Sequence, residues 1–260
     1  MITAAADALQ RQQYLRAVQQ RDFFRAALGM RLALFADKPA AGWRFYTAER
    51  GVCAALAVHG GAAFACGGWD AGELDVFLRF LQVETLLAPP ELRWPGSTAV
   101  PLYGFALPAG GQLPPRPFPA GVTVQAPDSL REAAQLLWGG TPAAQDGTAD
   151  NFCAELCAAR NHGMAELRLA CCGAQPAATV SACAIFAGEA YLAAGETAPA
   201  LRGQGIGSAL IVSLANSLAA RGLRVTLLCE APLCAHYARL GFAPAATLLR
   251  QTRQNPPVSP

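Results

Sequence analysis

ETAPALRGQGIGSAL, residues 196–210, sets Gly203, Gly205 and Gly207 between the apolar run EAYLAAGETA (189–198) and a segment in which Ile206, Leu210, Leu214 and Leu218 recur every fourth residue. The recurrence predicts a helix from about Ile206 to Arg221, closed by Gly222, with those four residues as its buried stripe. RVTLLCE (224–230) follows and reads as a strand, nearly all apolar, as a central strand covered on both faces is. Between strand and helix the glycines leave no Cβ atoms in the way, so first-turn N–H groups can face an anion, and the helix dipole adds about half a positive charge there. Such a turn suits a pyrophosphate, with Arg202 as a charged donor at its rim.

Taken alone the turn is ambiguous. A dinucleotide fold also uses strand, glycine loop and helix, and Glu230 stands about 20 positions on, where that fold carries an acidic residue. The strict GxGxxG spacing fails, however: counted from Gly203 the third glycine falls at Ser208, and counted from Gly205 at Leu210. A tight turn that binds nothing is the other alternative.

A second stretch, HYARLGF (236–242), separates these readings. ETAPALRGQGIGSAL resembles motif A of the GNAT superfamily, Gln/Arg-x-x-Gly-x-Gly/Ala, with Arg202, Gly205 and Gly207 at the defining positions and Pro199 where the family often has proline. HYARLGF resembles motif B, Tyr-x-x-x-Gly-Phe, through Tyr237, Gly241 and Phe242. One helix and one strand fill the gap, as in the family, and the resemblance covers approximately residues 121–260.

The resemblance implies an α+β fold: a mixed, mostly antiparallel GNAT-like sheet flanked by helices. It implies an acetyl-CoA-dependent N-acetyltransferase, with the pyrophosphate on Arg202, Gly203, Gln204, Gly205, Ile206, Gly207 and Ser208. The pantetheine arm would pair with the end of the preceding strand, around Glu196, Thr197 and Ala198, where that strand splays from RVTLLCE. A neutral amine would attack directly, without an acyl-enzyme; the acceptor is a small-molecule amine or a protein amino group. Tyr237 matches the family's usual acid, a phenol with a pKa near ~10 that protonates the departing thiolate. Glu196 is the candidate base from its place at the cleft end of the strand. Glu230 departs from the asparagine that many members carry there. A non-catalytic acyl-CoA-binding sensor or scaffold is the rival reading.

The rest of the chain bounds these readings. It is 53% hydrophobic and 15% charged over 260 residues, enough to bury a large core and too apolar for disorder. A net charge of +2 without basic runs, and sparse aromatics, argue against a nucleic-acid partner. The nine cysteines show no CxxC spacing, so no zinc or redox motif is read, no metal is expected, and a reduced, cytoplasmic protein is. The start has no signal-peptide pattern, and no window offers the ~20 uninterrupted apolar residues of a membrane span. Oligomeric state is not readable.

LPAGGQLPPRPFPAG (107–121) reads as a linker that divides the chain into 1–118 and 119–260. The C-terminal part reads further as strand VTVQAP, a helix opened by Pro127-Asp128-Ser129, helix FCAELCAARNHG, a hairpin of AELRLACC and ATVSACAIFAG, and a last strand FAPAATLLRQTR that finishes its sheet before a frayed tail. His162, at a helix end, reads as structural. The N-terminal part reads as one helix from Ala5 to about Leu28, strands WRFYTAE, VCAALAVHG and AAFACGG, helix AGELDVFLRFL capped by Asp70 with Glu73 in its first turn, and strand VETLLAP. It is a smaller α+β domain that loosely echoes the middle of a GNAT fold without either motif: one reading is a degenerate GNAT-like domain, which would make the chain a tandem, and the other is an unrelated α+β domain.

Overall fold

The computed structural model describes residues 1–48, 53–127, 129–139, 141 and 148–254. Asp128, the expected strand ends Glu49 and Val52, and residues 255–260 of the tail lie outside them. Two units divide the chain: Met1–Gly104 with Cys229–Cys234 and the segment from Ala245 onward, and Phe105–Leu228 with Ala235–Pro244.

The first unit opens with β1 (Ile2–Ala4), α1 (Ala8–Gln19), α2 (Phe24–Phe35), β2 (Arg44–Ala48), β3 (Ala54–His59), β4 (Ala62–Gly67), α3 (Ala71–Phe80), β5 (Thr85–Ala88) and β6 (Ser97–Leu107). The second carries β7 (Val122–Gln125), α4 (Arg131–Trp138), α5 (Thr148–Asn161), β8 (Glu166–Cys172), β9 (Gln175–Phe186), β10 (Glu189–Thr197), α6 (Ile206–Ala220), β11 (Arg224–Cys229) and α7 (Ala231–Leu240), before β12 (Ala243–Arg253). The order strand, two helices, three strands, helix, strand thus occurs twice. In each unit the three strands pair antiparallel and the crossover helix returns the chain to a parallel neighbour, β5 beside β4 and β11 beside β10. The α+β architecture with a mostly antiparallel sheet flanked by helices is therefore observed, and the first half has the same layout as the second.

Three expectations need correction. The single helix over 5–28 is two. Asp7 and Gln10 form a capping box at the head of α1. The chain then breaks at Phe23, whose φ is 71°, and α2 runs on to Phe35. That helix buries nine of its twelve residues, so its apolar positions leave no stripe for a periodicity to find. The last strand is the second departure. β12 lies between β5 and β6 in the sheet of the first unit, in the register Leu249↔Ala88 to Thr252↔Thr85. Gln251, 1% exposed, fixes it there: its amide donates to the Leu92 carbonyl (2.9 Å) and accepts the Trp94 N–H (2.7 Å). Nothing local in FAPAATLLRQTR signals a partner some 160 residues away.

The third is the linker. Proline and glycine deny residues 108–120 a regular element, but they do not leave the segment loose. Asn216 of α6 holds Leu113 as a neighbouring strand would, accepting its N–H (2.8 Å) and donating to its carbonyl (3.0 Å). Gly110 donates to the Ala219 carbonyl (2.9 Å), and Leu113 is 1% exposed. The predicted stripe of α6, Ile206, Leu210, Leu214 and Leu218, is fully buried, and the helix packs on β8, β9 and β10. Asn216→Ala strands both backbone groups of a buried residue and is expected to cost about 1–3 kcal/mol; a urea unfolding midpoint equal to that of the parent chain would remove the strap from the stability of this unit.

Candidate active site

Strand β10 makes the site by leaving its neighbour. It pairs with β11 from Glu189↔Arg224 to Leu192↔Leu227 and there the pairing ends, although β10 continues to Thr197. Its pairing with β9 continues through Thr197↔Ala178, interrupted between Ala193 and Glu196 by a bulge with Ala194 at φ 54°. The backbone edge of Ala193–Thr197 on the β11 side is thus released from the sheet, which is the expected splay.

The chain then turns through Pro199–Leu201 into α6. Gly203 and Gly205 sit at φ 80° and 83°, with open space where a Cβ would stand, so glycine serves their backbone conformation. Gly207 serves space instead: a Cβ there would stand 2.5 Å from Thr197 Oγ1. No side chain caps α6, and its first intrahelical bond runs from the Ala209 N–H to the Gly205 carbonyl (2.9 Å). The N–H groups of Ile206, Gly207 and Ser208 therefore face outward at the positive end of a 15-residue helix, and Arg202 to Gly205 are exposed around them.

Glu196, Thr197 and Arg202 are bonded to one another. Glu196 Oε1 accepts the Thr197 N–H (2.9 Å) and an Arg202 guanidinium N–H (3.0 Å), and Arg202 Nε donates to the Thr197 carbonyl (3.2 Å). Both backbone groups of Thr197 are thereby held by side chains, the N–H by Glu196 of the same strand and the carbonyl by Arg202 of the turn. Ala198 faces the other way, its N–H donating to the Ala177 carbonyl (2.8 Å).

Tyr237 belongs to an aromatic cluster of the same unit. Its ring centroid lies 6.1 Å from that of Phe105 and 6.2 Å from that of Phe242, which is 3% exposed, with His236 at 5.3 Å on the other side. Burial lowers the His236 pKa, and Arg239 and Arg116 nearby lower it further, so this side of α7 stays positive without a histidine charge. Gly241 has φ 101°, and a Cβ on it would stand 3.1 Å from Pro114 and 3.3 Å from Leu113. The strap thus explains why the Gly-Phe pair follows the helix. Phe105 and the Leu113 strap were missed by the sequence reading, because both contacts join segments more than 100 residues apart and leave no local pattern.

Glu230 is engaged elsewhere, paired with Arg250 at 2.7 Å in the first unit. His162 Nδ1 bonds the Ala158 carbonyl (2.8 Å) at the end of α5, the structural role expected. His59 stacks on Trp43 at 4.8 Å. Among the described residues no group of three or more His, Cys, Asp or Glu side chains is arranged to hold a metal ion, and no helix is long and apolar enough to cross a membrane.

The first unit repeats the geometry with different chemistry. β4 pairs with β5 from Ala62↔Thr85 to Phe64↔Leu87 and then runs on to Gly67 unpaired on that side. Just beyond, Trp69 donates its indole N–H to the Cys66 carbonyl (3.0 Å). At the head of α3, Asp70 Oδ1 accepts the Glu73 N–H (2.7 Å), and Glu73 places a second carboxylate in the first turn. Where α6 offers free N–H groups, α3 offers two negative charges.

A splayed parallel pair followed by an uncapped glycine turn and helix is the arrangement that the GNAT resemblance implies. Residues 130–242 match the family model described as the Acetyltransferase (GNAT) family. No curated protein matches the sequence. Among solved structures, a tandem GNAT protein from the clavulanic acid biosynthesis pathway, solved without acetyl-CoA, is 17% identical over 100% of this chain and 99% of its own, with a TM-score of 0.64. A GCN5-related N-acetyltransferase from Sphaerobacter thermophilus gives 16% identity, coverage of 99% and 97%, and a TM-score of 0.59. One from Kribbella flavida gives 20%, 79% and 88%, and 0.56. At these identities the likeness is one of fold, and it runs over both units.

Proposed function

We propose that the protein transfers an acetyl group from acetyl-CoA to an amine, a small-molecule amine or a protein amino group, by direct attack at a single site in the second unit. The observation that supports this most is the uncapped head of α6 beside the released edge of β10: free N–H groups for a pyrophosphate and a strand edge for an amide-bearing arm, side by side. The pyrophosphate would lie on Arg202–Ser208, and the pantetheine arm along the edge that ends at Thr197 and Ala198. The machinery, Glu196 to Ser208 and Tyr237, lies in the second unit, and the first unit is non-catalytic. The nine free thiols fit a reducing, cytoplasmic setting.

Binding and chemistry are coupled through Glu196. In the free protein its Oε1 is committed to Arg202 and Thr197. A pyrophosphate competes for Arg202 as a stronger bidentate partner, and the arm competes for Thr197. Both exchanges free the Glu196 carboxylate to take a proton from the amine, directly or through water. The neutral amine then attacks the thioester carbon, the adduct's nitrogen gives up its surplus proton to water, the tetrahedral intermediate collapses, and the departing thiolate takes a proton from Tyr237, which is reprotonated from solvent.

Titration calorimetry with acetyl-CoA is expected to give one molar equivalent per chain. Gly205→Asp, which sets at the head of α6 the kind of carboxylate that Asp70 sets at the head of α3, should abolish it; two equivalents, or full binding by this variant, would overturn the single-site reading. Tyr237→Phe should lower kcat by about 10²-fold, in the range of general-acid effects, while the cofactor Kd moves little. An unchanged kcat excludes the phenol as acid. For Glu196→Gln the expected loss is also about 10²-fold in kcat, measured as thiol release over a panel of primary amines. Full activity of that variant removes Glu196 as base. Cofactor binding without thiol release from any amine would leave a sensor or scaffold.

A further inference from the structure

Of the nine free cysteines, Cys229 and Cys234 are in mutual contact, their Sγ atoms 4.0 Å apart. Cys229 is the last residue of β11 and Cys234 the fourth residue of α7, joined by Glu230-Ala231-Pro232-Leu233. The geometry has a simple origin. Side chains on a helix lean toward its N-terminus, so Cys234 is carried back over the turn that leaves β11. Its Sγ lies 3.9 Å from the Glu230 carbonyl, one helical turn behind, while the Leu233 N–H closes that turn on the same carbonyl (3.0 Å). Cys229 is buried and Cys234 half-buried, so one thiol meets solvent and the other waits beneath it.

We infer that Cys229 and Cys234 form a reversible disulfide by exchange with a low-molecular-weight disulfide of the glutathione type. Cys234 loses its proton and its thiolate attacks one sulfur of the small disulfide, giving a mixed disulfide and expelling one thiolate. Cys229 then loses its proton and attacks Cys234 Sγ, closing the protein disulfide and expelling the second thiolate. The two protein thiols are oxidised by two electrons, the small disulfide is reduced to two thiols, and the two protons pass to the expelled thiolates. A disulfide needs sulfur atoms about 2 Å apart, so side-chain rotation at the contact suffices in scale. Burial, with Cys234 alongside, pushes the Cys229 thiol up to about 12, which makes the second step the slow one near neutrality. The order of attack is fixed by exposure. The bond ties the first turn of α7 to the end of β11.

Trypsin isolates both cysteines in one peptide, Val225–Arg239, which holds no other cysteine. The full chain is incubated with oxidised glutathione, alkylated with iodoacetamide and digested. The expected peptide has lost two hydrogens, takes no alkyl group, and recovers both thiols after dithiothreitol. At about pH 7 the glutathione adduct on Cys234 should build up ahead of the disulfide, and at about pH 9 the disulfide should overtake it. Cys229→Ser should trap the adduct on Cys234, and Cys234→Ser should leave Cys229 unmodified. The exposed thiols of Cys53 and Cys157 report that the oxidant has acted. Two alkyl groups on Val225–Arg239 when those two are glutathionylated would overturn the inference, as would a disulfide from either cysteine to a third one. The measurement reads sulfur chemistry alone and does not depend on the acyl-transfer reading.

Discussion

Everything at the site depends on β10 giving up one neighbour while keeping the other. A strand that stayed paired with β11 to its end would have no free edge, and a helix that followed it directly would have no room for an open head. The bulge at Ala194 and Gly195 supplies the bend, at a position where an alanine takes φ 54°. Pairing with β9 resumes at Glu196 and Thr197 and fixes the end of the released edge in place. Gly207 then lets α6 close on the strand end until Thr197 Oγ1 lies where a side chain would begin. The opening is thus held by the ladder with β9 on one side and a packed helix on the other. Such a preorganised edge binds an extended ligand without first having to be ordered.

The two units show that this backbone frame is not sufficient. Both part a parallel strand pair ahead of the crossover helix, and they differ in what stands at the helix head. Asp70 and Glu73 satisfy and neutralise the head of α3, which stabilises that helix in isolation. At the head of α6 the same stabilisation is forgone, and Gly205 leaves the amides unpaired. An uncapped helix end is costly unless something else meets it. The cost is accepted in one unit and avoided in the other, and on the proposed reading that contrast, rather than the fold, separates a site from a scaffold.

What the sequence disclosed follows the range of the interactions involved. Local features were legible: the buried stripe of α6, the glycines at 203, 205 and 207, the cap at Asp70, and the order of elements in the second half. Each rests on residues a few positions apart. The helix break at Phe23 was hidden because α2 is apolar on all sides. The place of β12 was hidden because a strand carries its face pattern but not the name of its neighbour. The strap at Leu113 was misread because proline and glycine report the absence of a ladder, whereas the order there comes from one asparagine in a helix 103 residues on. Among the candidate site residues, position along the chain was readable and bonding was not. Glu196 and Arg202 were assigned separate tasks, yet they form an ion pair.

That pair bears on how the site changes state. With side chains 60% and 34% exposed, the Arg202–Glu196 contact is of the kind worth about 0–1 kcal/mol. Its three hydrogen bonds nevertheless satisfy the backbone groups of Thr197 and occupy the guanidinium, so the last residue of the released edge is not left unpaired. An exposed edge is a liability, and a weak internal partner is a fitting cover for one that must be uncovered on demand. A tighter pair would subtract its own strength from any ligand's affinity, and no pair would leave the edge bare. On the proposed reading the cover is displaced by the cofactor, and the carboxylate it releases is the one the reaction needs next. One weak bond then makes the base available only when the donor is in place.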